Sequence, residues 1–292
     1  MEAVVALILG TATPGGGFPV YGEAFAATLN AQEPRIRIET RHTQGSAENV
    51  PLLESDKLDL GLVAGEVATA ALAKPGATLR VITAMYSSPG MFVVRADSPA
   101  RSIADLKGRP VALGTQGSGL TVLGRSVLQS LGYDLERDIQ AITLEKAADG
   151  PAMVLDGRAA ALWGAGVGWP GFAAVAKAGG RFVAPSPEEV QRILAAQPQL
   201  RAMTIPAGSY PGQDAPVHSV GSWSFVLARG TLPEEAAYRL ARAVHLSQAP
   251  LAARLAQARE TTMANTVAAA PRRDLIHPGV QRYLRETGLL GR

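Results

Sequence analysis

The chain has 292 residues, 47% hydrophobic and 18% charged, with 31 glycines, 20 prolines and no cysteine. This length is enough for one large or two ordinary domains with ample core, and the missing cysteine excludes a disulfide framework, a thiol nucleophile and thiolate metal sites while leaving the redox compartment open. A formal charge of +3 is too small for wholesale nucleic-acid binding, and no apolar run approaches the ~20 residues of a spanning helix.

In chain order, the apolar stretch Ala3 to Leu9 reads as a first strand; no Lys or Arg precedes Arg35, so it lacks the basic start of a signal peptide, and the leader of an exported protein would already be gone. The strand runs into Gly10-Thr11-Ala12-Thr13-Pro14-Gly15-Gly16-Gly17. A helix follows, with Phe18, Tyr21, Phe25, Thr28 and Leu29 on one face. An alternating strand, Arg35 to Thr40, leads through Gln44-Gly45 to a second helix opened by Ser46-Ala47-Glu48-Asn49, and Leu58 to Val63 reads as a third strand. About a hundred residues later the same blocks recur in the same order. Strand Pro110 to Leu113 ends in Gly114-Thr115-Gln116-Gly117-Ser118-Gly119, and a helix follows with Leu120, Leu123, Val127, Leu128 and Leu131 on one face and Gly132 at its C-terminus. Strands Asp138 to Thr143 and Arg158 to Trp163 complete the repeat.

Between the two sets, Leu79 to Tyr86 and Met91 to Arg95 read as two strands joined by a turn at Ser87-Ser88-Pro89-Gly90, and Ser102 to Asp105 as a short capped helix. Helices are expected near Phe172 to Ala178 and Pro187 to Ala196, a loop at Pro206 to Pro216, a strand from His218 to Leu227, and closing helices Pro233 to Gln248, Leu251 to Thr262 and Pro278 to Thr287. Alternating strands and helices imply mostly parallel sheets flanked by helices. The expected organisation is a discontinuous first lobe of residues 1–92 and 220–292, a continuous second lobe of residues 93–219, and a ligand cleft between them.

In open α/β sheets, ligands bind beyond the carboxyl ends of the strands, where helix N-termini also point. Both Gly-rich loops fall there, so backbone N–H groups and helix dipoles can hold a small anion with few cationic side chains. None of the five lysines follows a glycine as a P-loop requires. Ser46 is placed to cap its helix and Asn49 to offer a donor and an acceptor. Phe18, Tyr21, Tyr86, Trp163 and Trp169 fall at expected strand ends or loop starts, as a pocket wall would. His42, His218, His245 and His277 show no metal-ligand spacing, and no set of acid, base and nucleophile stands out, so neither a metal nor a catalytic residue is expected. Gly166-Val167-Gly168-Trp169-Pro170-Gly171 fits the dinucleotide fingerprint, but Trp169-Pro170 would crowd a loop that needs bare backbone against pyrophosphate, so no cofactor is expected. From Arg239 to Arg292 there are nine basic residues and three acids with Tyr283 as the only aromatic, which reads as a solvated helix face and not a nucleic-acid patch.

Gly10-Thr11 through Gly16-Gly17 with Tyr21-Gly22, Gly45-Ser46-Ala47-Glu48-Asn49, Gly117-Ser118-Gly119, and His277-Pro278-Gly279 with Arg282-Tyr283 together resemble the TAXI group of solute receptors, which serve TRAP transporters. The resemblance runs nearly end to end. It implies a monomeric, non-enzymatic periplasmic receptor of the two-lobed type II periplasmic-binding-protein fold, which closes on a small carboxylate and delivers it to a TRAP-type membrane permease. Carried over by position, the first Gly-rich loop with Thr11, Thr13, Gly16 and Gly17, together with Ser46 and Asn49, would line the first-lobe side, and Gly117, Ser118 and Gly119 would hold a carboxylate on the second; Phe18, Tyr21, Tyr86, Trp163 and Trp169 join them as the pocket wall read from their places at strand ends and loop starts. Leu120 stands where the family commonly has Thr, which favours a more apolar acid than glutamate. Similar two-lobed proteins include receptors of ABC-type importers and pyrimidine-precursor enzymes, and these remain alternatives.

Overall fold

The structure, a computed structural model, describes residues 4–290. In chain order it contains β1 (Val5–Gly10), α1 (Gly17–Gln32), β2 (Ile36–Arg41), α2 (Ser46–Glu54), β3 (Leu60–Val63), α3 (Gly65–Leu72), β4 (Arg80–Val94), a 3-10 turn (Ile103–Leu106), β5 (Pro110–Thr115) and α4 (Gly119–Ser130). There follow β6 (Gln140–Leu144), α5 (Asp149–Leu155), β7 (Ala161–Ala165), α6 (Pro170–Lys177), β8 (Arg181–Val183), α7 (Pro187–Ala196), β9 (Arg201–Ile205) and β10 (Val217–Ala228). The chain ends in α8 (Glu234–Leu246), α9 (Gln248–Arg254), a 3-10 turn (Ala256–Glu260), α10 (Met263–Ala269), a 3-10 turn (Arg273–Leu275) and α11 (Pro278–Glu286).

Contacts divide the chain into two units. Unit 1 holds the described residues through Ala12, Phe18–Tyr86, and those from Trp223 onward; unit 2 holds Thr13–Gly17 and Ser87–Ser222. The chain therefore leaves unit 1 within β4 and returns within β10, at Tyr86/Ser87 and Ser222/Trp223 where the sequence suggested 92/93 and 219/220.

In unit 1 the strand order is β2-β1-β3-β10, with β1 parallel to both β2 and β3 and β10 antiparallel to β3. Alternation places Ile36 and Ile38 inward and Arg37 and Glu39 outward on the edge strand β2. The inward set joins Leu7, Leu9, Leu60 and Leu62 under Tyr21, Phe25 and Leu29 of α1 and the Ala/Leu stripe of α8. A second apolar cluster packs Val50 and Leu53 of α2 and Ala68, Ala71 and Leu72 of α3 against Val63, Val81, Phe225 and Leu227. Period-3.6 patterning produced α1 and α8 because each has one stripe to bury and one face to leave in water. Three arginines of the basic C-terminal stretch, Arg239 and Arg242 of α8 and Arg282 of α11, pair with acids. Glu33 lies 3.3 Å from Arg242 and 3.8 Å from Arg239; Glu235 lies 3.0 Å from Arg239 and 2.7 Å from Arg282, whose guanidinium stacks 4.3 Å from the centre of the Tyr238 ring.

Unit 2 repeats the plan with the order β4-β7-β5-β6. β5 is parallel to β6 and β7, while β4 runs antiparallel to β7 and β8. Leu123, Val127 and Leu128 of α4 and Ile193 of α7 cover one face with Trp163 and Phe92; Phe172 and Val175 of α6, Val154 of α5 and Tyr210 cover the other with Met91, Val93 and Leu162.

The turn expected at Ser87-Ser88-Pro89-Gly90 does not form. β4 runs unbroken for 15 residues through it. Proline is compatible with extended backbone, and tertiary partners hold the segment extended: Pro89 O accepts from Gly166 N at 3.0 Å, and Gly90 O accepts from the Ser219 hydroxyl. Gly221 packs so closely on this segment that a Cβ there would sit 2.2 Å from Ser88 O. The helix expected over Leu251 to Thr262 is divided as well, into α9 and a 3-10 turn.

Candidate functional site

At the carboxyl ends of β1, β2 and β3, unit 1 builds a closed polar knot. Asn49 is 0% exposed, and its Nδ2 lies 2.9 Å from Thr11 O, 2.8 Å from Leu62 O and 3.3 Å from Gly10 O. Thr43 Oγ1 is 2.8 Å from Asn49 Oδ1 and 3.1 Å from Thr11 O, and accepts from Gly45 N at 3.1 Å. Thr11 N–H and hydroxyl both donate to Arg41 O, at 2.9 and 3.1 Å. The chain can come this close only because position 10 is glycine: a Cβ there would lie 2.4 Å from Leu58 and 2.6 Å from Asn49 Oδ1. Asn49 and Thr11, expected to meet the ligand, are thus bonded within unit 1 and hold three strand ends and α2 in register.

Ser46 does not cap α2. Gly45 takes the N-cap position at φ 103°, a conformation open to glycine, and Ser46 becomes the first helical residue, its buried Oγ accepting from Ala64 N at 3.0 Å. Tyr21 is core: its phenol donates to Thr261 Oγ1 at 3.1 Å, because the threonine's one proton goes to Met85 O at 2.7 Å. Its ring stacks on Phe25 and meets Tyr86 edge-on at 5.4 Å, and burial drives both phenol pKa values upward. Phe18 is half-buried against the same cluster. Of the remaining first-loop residues, Thr13, Gly16 and Gly17 belong to unit 2 by contact, and Gly16 N closes a turn onto Thr13 O at 3.4 Å.

Unit 2 presents two loops from adjacent parallel strands. At the end of β5 Gly114 takes a φ of 125° and just beyond it Gly117 one of 78°, which bend the backbone into the N-terminus of α4. Ser118 is the N-cap, its Oγ accepting from Leu120 N at 3.2 Å; the hydroxyl proton stays available to a ligand. Thr121 ties the helix back by donating to Thr115 O at 2.8 Å. No Lys or Arg occurs in residues 114–121, so this loop itself offers an anion backbone N–H groups, the α4 dipole and the Ser118 hydroxyl, while Lys146 follows β6, the other strand paired with β5.

Trp163, expected at the pocket wall, lies behind this loop. It is 0% exposed, donates from Nε1 to Leu120 O at 2.8 Å, and packs on Gly90 and Gly124 and edge-on to Phe92. It braces the first turn of α4 from inside. After β7, Gly166 and Gly168 take φ values of 89° and 76°, and Tyr210 staples the loop, donating to Gly166 O at 2.7 Å and accepting from Trp169 N at 2.9 Å. Trp169 caps α6 and is 4% exposed. Its ring fills the places where Cβ atoms of Gly164 and Gly171 would be, 2.3 and 2.5 Å away, so Gly171 packs the ring and offers no bare backbone of the dinucleotide kind. Three buried polar atoms of unit 2, Trp169 Nε1, Arg181 Nε and Ser222 Oγ, have no hydrogen-bond partner among the described residues. A buried donor left so costs about 1–3 kcal/mol.

Thr43, Thr121, Tyr210 and Ser222 escaped the sequence reading. Thr43 and Thr121 carry a local signal, a hydroxyl two or three residues from a helix start. Tyr210 carries none, because its partners lie more than forty residues away in sequence. Among the described residues no cluster of three or more His, Asp or Glu could hold a metal, and no helix is long and apolar enough to cross a membrane.

A model of the NMT1-like family matches residues 9–288. Among solved structures, the periplasmic binding protein BugD superposes with a TM-score of 0.61 at 12% identity over 99% of each chain. MatC from Rhodopseudomonas palustris with bound malate gives 0.60 at 13%, covering 98% of this chain and 97% of that one. The alkanesulfonate-binding protein SsuA from Xanthomonas axonopodis pv. citri bound to MOPS gives 0.52 at 19%, covering 98% and 85%. At such identities the likeness speaks to fold: the chain has the α/β fold of periplasmic binding proteins.

Proposed function

The chain belongs to the NMT1-like family, and from that premise we propose that it is an extracytoplasmic solute receptor that binds a small organic acid and hands it to a membrane permease. The observation that carries this reading is the α4 N-terminus. A Gly-rich loop without cationic side chains turns backbone donors, a helix dipole and the Ser118 hydroxyl toward one place, which suits a carboxylate better than a phosphate ester that needs several positive charges. Binding without catalysis fits a loop whose own donors are all neutral. The likeness to MatC with malate supports a carboxylate, and the likeness to SsuA makes a sulfonate the rival ligand. A TAXI-type receptor serving a TRAP permease is the finer reading, supported by the ordered motifs from Gly10 to Tyr283; an ABC-type importer is the alternative partner.

Gly117, Ser118 and Gly119 are the ligand contacts this reading needs most. Within unit 1, Thr11, Ser46 and Asn49 are positioning residues that hold the strand ends and α2 together, and within unit 2 Trp163 positions the start of α4. Ser118→Ala is expected to weaken binding of an acid by about 0.5–2 kcal/mol, roughly two- to thirtyfold in Kd by titration calorimetry, with little change in melting temperature because one cap is lost from a helix of 12 residues. Affinity equal to that of the unaltered protein would take Ser118 out of the site.

A further inference from the structure

The motif His277-Pro278-Gly279 has no role in the acid site proposed above, yet its histidine joins three parts of unit 1. His277 is 3% exposed and caps α11. Its Nδ1 accepts from Gly279 N at 3.2 Å, and its Nε2 lies 3.1 Å from Leu232 O. Its backbone N–H donates to Val81 O at 2.9 Å, next to a parallel bridge between Val81 and Ile276. One residue therefore fastens the start of α11 to the loop between β10 and α8 and to β4, the strand along which the chain leaves unit 1. Gly279 permits this close approach, since a Cβ there would collide with Glu234 O.

Only one state of the ring makes both side-chain bonds. Nδ1 must be bare to accept from an N–H, and Nε2 must carry the proton to donate to a carbonyl, so the ring is the neutral Nε2–H tautomer. A second proton would set an N–H on Nδ1 against the N–H of Gly279; the cap bond is lost and two donors face each other in a buried place. Burial lowers the ring's affinity for that proton, outweighing the Leu232 carbonyl and Glu234 of α8, which favour it; Arg80 of β4 opposes it. The other charged groups around the ring are engaged elsewhere. Glu54 pairs with Lys74 and Asp56 with Arg229, on the far side of a cavity of about 750 Å³ that His277 also lines. Asp274 pairs with Arg272, and Arg80 Nη1 donates to the carbonyls of the loop at Ala77, Thr78 and Leu79.

We propose that His277 is an acid-sensitive latch: protonation of Nδ1 releases the N-terminus of α11 from β4 and from the loop before α8, so that this part of unit 1 loosens as the pH falls. The opened chain takes up the proton near the ordinary histidine value of about 6.5, and the latched chain only below it. The latch therefore contributes fully above about pH 6.5, and its contribution is lost as the pH falls through the lower value of the latched state. Between pH 7.5 and 5.5 the opening equilibrium rises by up to about tenfold.

Amide exchange of the full chain at these two pH values, read by NMR and divided by the rate of the unstructured chain at each pH, measures the opening at the His277 and Gln281 amides, which donate to Val81 O and His277 O. The unaltered protein is expected to rise at least twofold and up to about tenfold. His277→Asn, whose side chain can cap the same N–H but does not titrate, is expected to rise less than twofold. A rise below twofold in the unaltered protein, or one as large in His277→Asn, would overturn the latch. The ring of the unaltered protein gives a second check that needs no variant. Its nitrogen-15 shifts are expected to show the Nε2–H tautomer and a titration midpoint below about 6.5; a proton on Nδ1 at pH 7.5, or a midpoint at or above that value, would contradict the proposal. Neither readout involves a ligand, so the receptor reading stands or falls separately.

Discussion

Asn49→Leu is expected to destabilise the protein by about 3–5 kcal/mol, a fall of roughly 5–8 °C in melting temperature by calorimetry. Leucine keeps the branched shape but is bulkier, so overpacking adds to the loss of hydrogen bonds. The carbonyls of Gly10, Thr11 and Leu62 lose their shared donor and Thr43 loses the nearer of its two acceptors, all in a site where Asn49 is 0% exposed. Buried polar groups left in this way cost their full desolvation. Asn49→Asp should be at least as damaging, since it removes both amide protons and brings a charge among carbonyl oxygens. A melting temperature within 2 °C of the unaltered protein for Asn49→Leu would mean that the knot contributes nothing and that Asn49 is free for another role.

Trp163→Ala should cost about 3–5 kcal/mol through the cavity it leaves. The ring is fully enclosed by Phe92, Leu123, Gly90 and Gly124, and both glycines are needed for it: Cβ atoms there would come within 2.5 and 2.8 Å of the indole. Trp163→Phe, which keeps most of the packing and drops the bond to Leu120 O, should lose only about 1–2 kcal/mol. Because Leu120 lies in the first turn of α4, both variants are expected to weaken acid binding without touching the ligand. Full affinity in a folded Trp163→Ala protein would show that α4 needs no brace.

The α/β class was legible in the sequence because it rests on local periodicity. Ile36-Arg37-Ile38-Glu39 alternates and becomes β2, and the stripe Leu123, Val127, Leu128 becomes the buried face of α4. Misreadings arose where a distant partner outweighed a local signal. Ser-Ser-Pro-Gly is a turn on propensity, yet Gly166 N and Ser219 Oγ hold Pro89 and Gly90 extended. The cap of α2 moved by one residue because Gly45 accepts a left-handed conformation that Ser46 would resist. Aromatics at strand ends could not be sorted by sequence into wall and core: Trp163 points to the α4 face and is bonded there, Trp169 lies on the other face with its N–H unpaired, and only strand pairing distinguishes them. Asn49 looked like a ligand donor for the same reason that it makes a good knot, since one side chain offers two donors and an acceptor.

The central claim is that neutral backbone donors at the start of α4 hold an anionic group. Calorimetric titration at pH 7 with matched pairs, each acid against its primary amide (succinate against succinamide, 2-oxoisovalerate against its amide, an alkanesulfonate against its sulfonamide), tests this most directly. The account predicts that at least one acid binds and that its amide, nearly the same in shape but without the charge, binds at least tenfold more weakly. Equal affinity within a pair, or no heat from any acid, would contradict it.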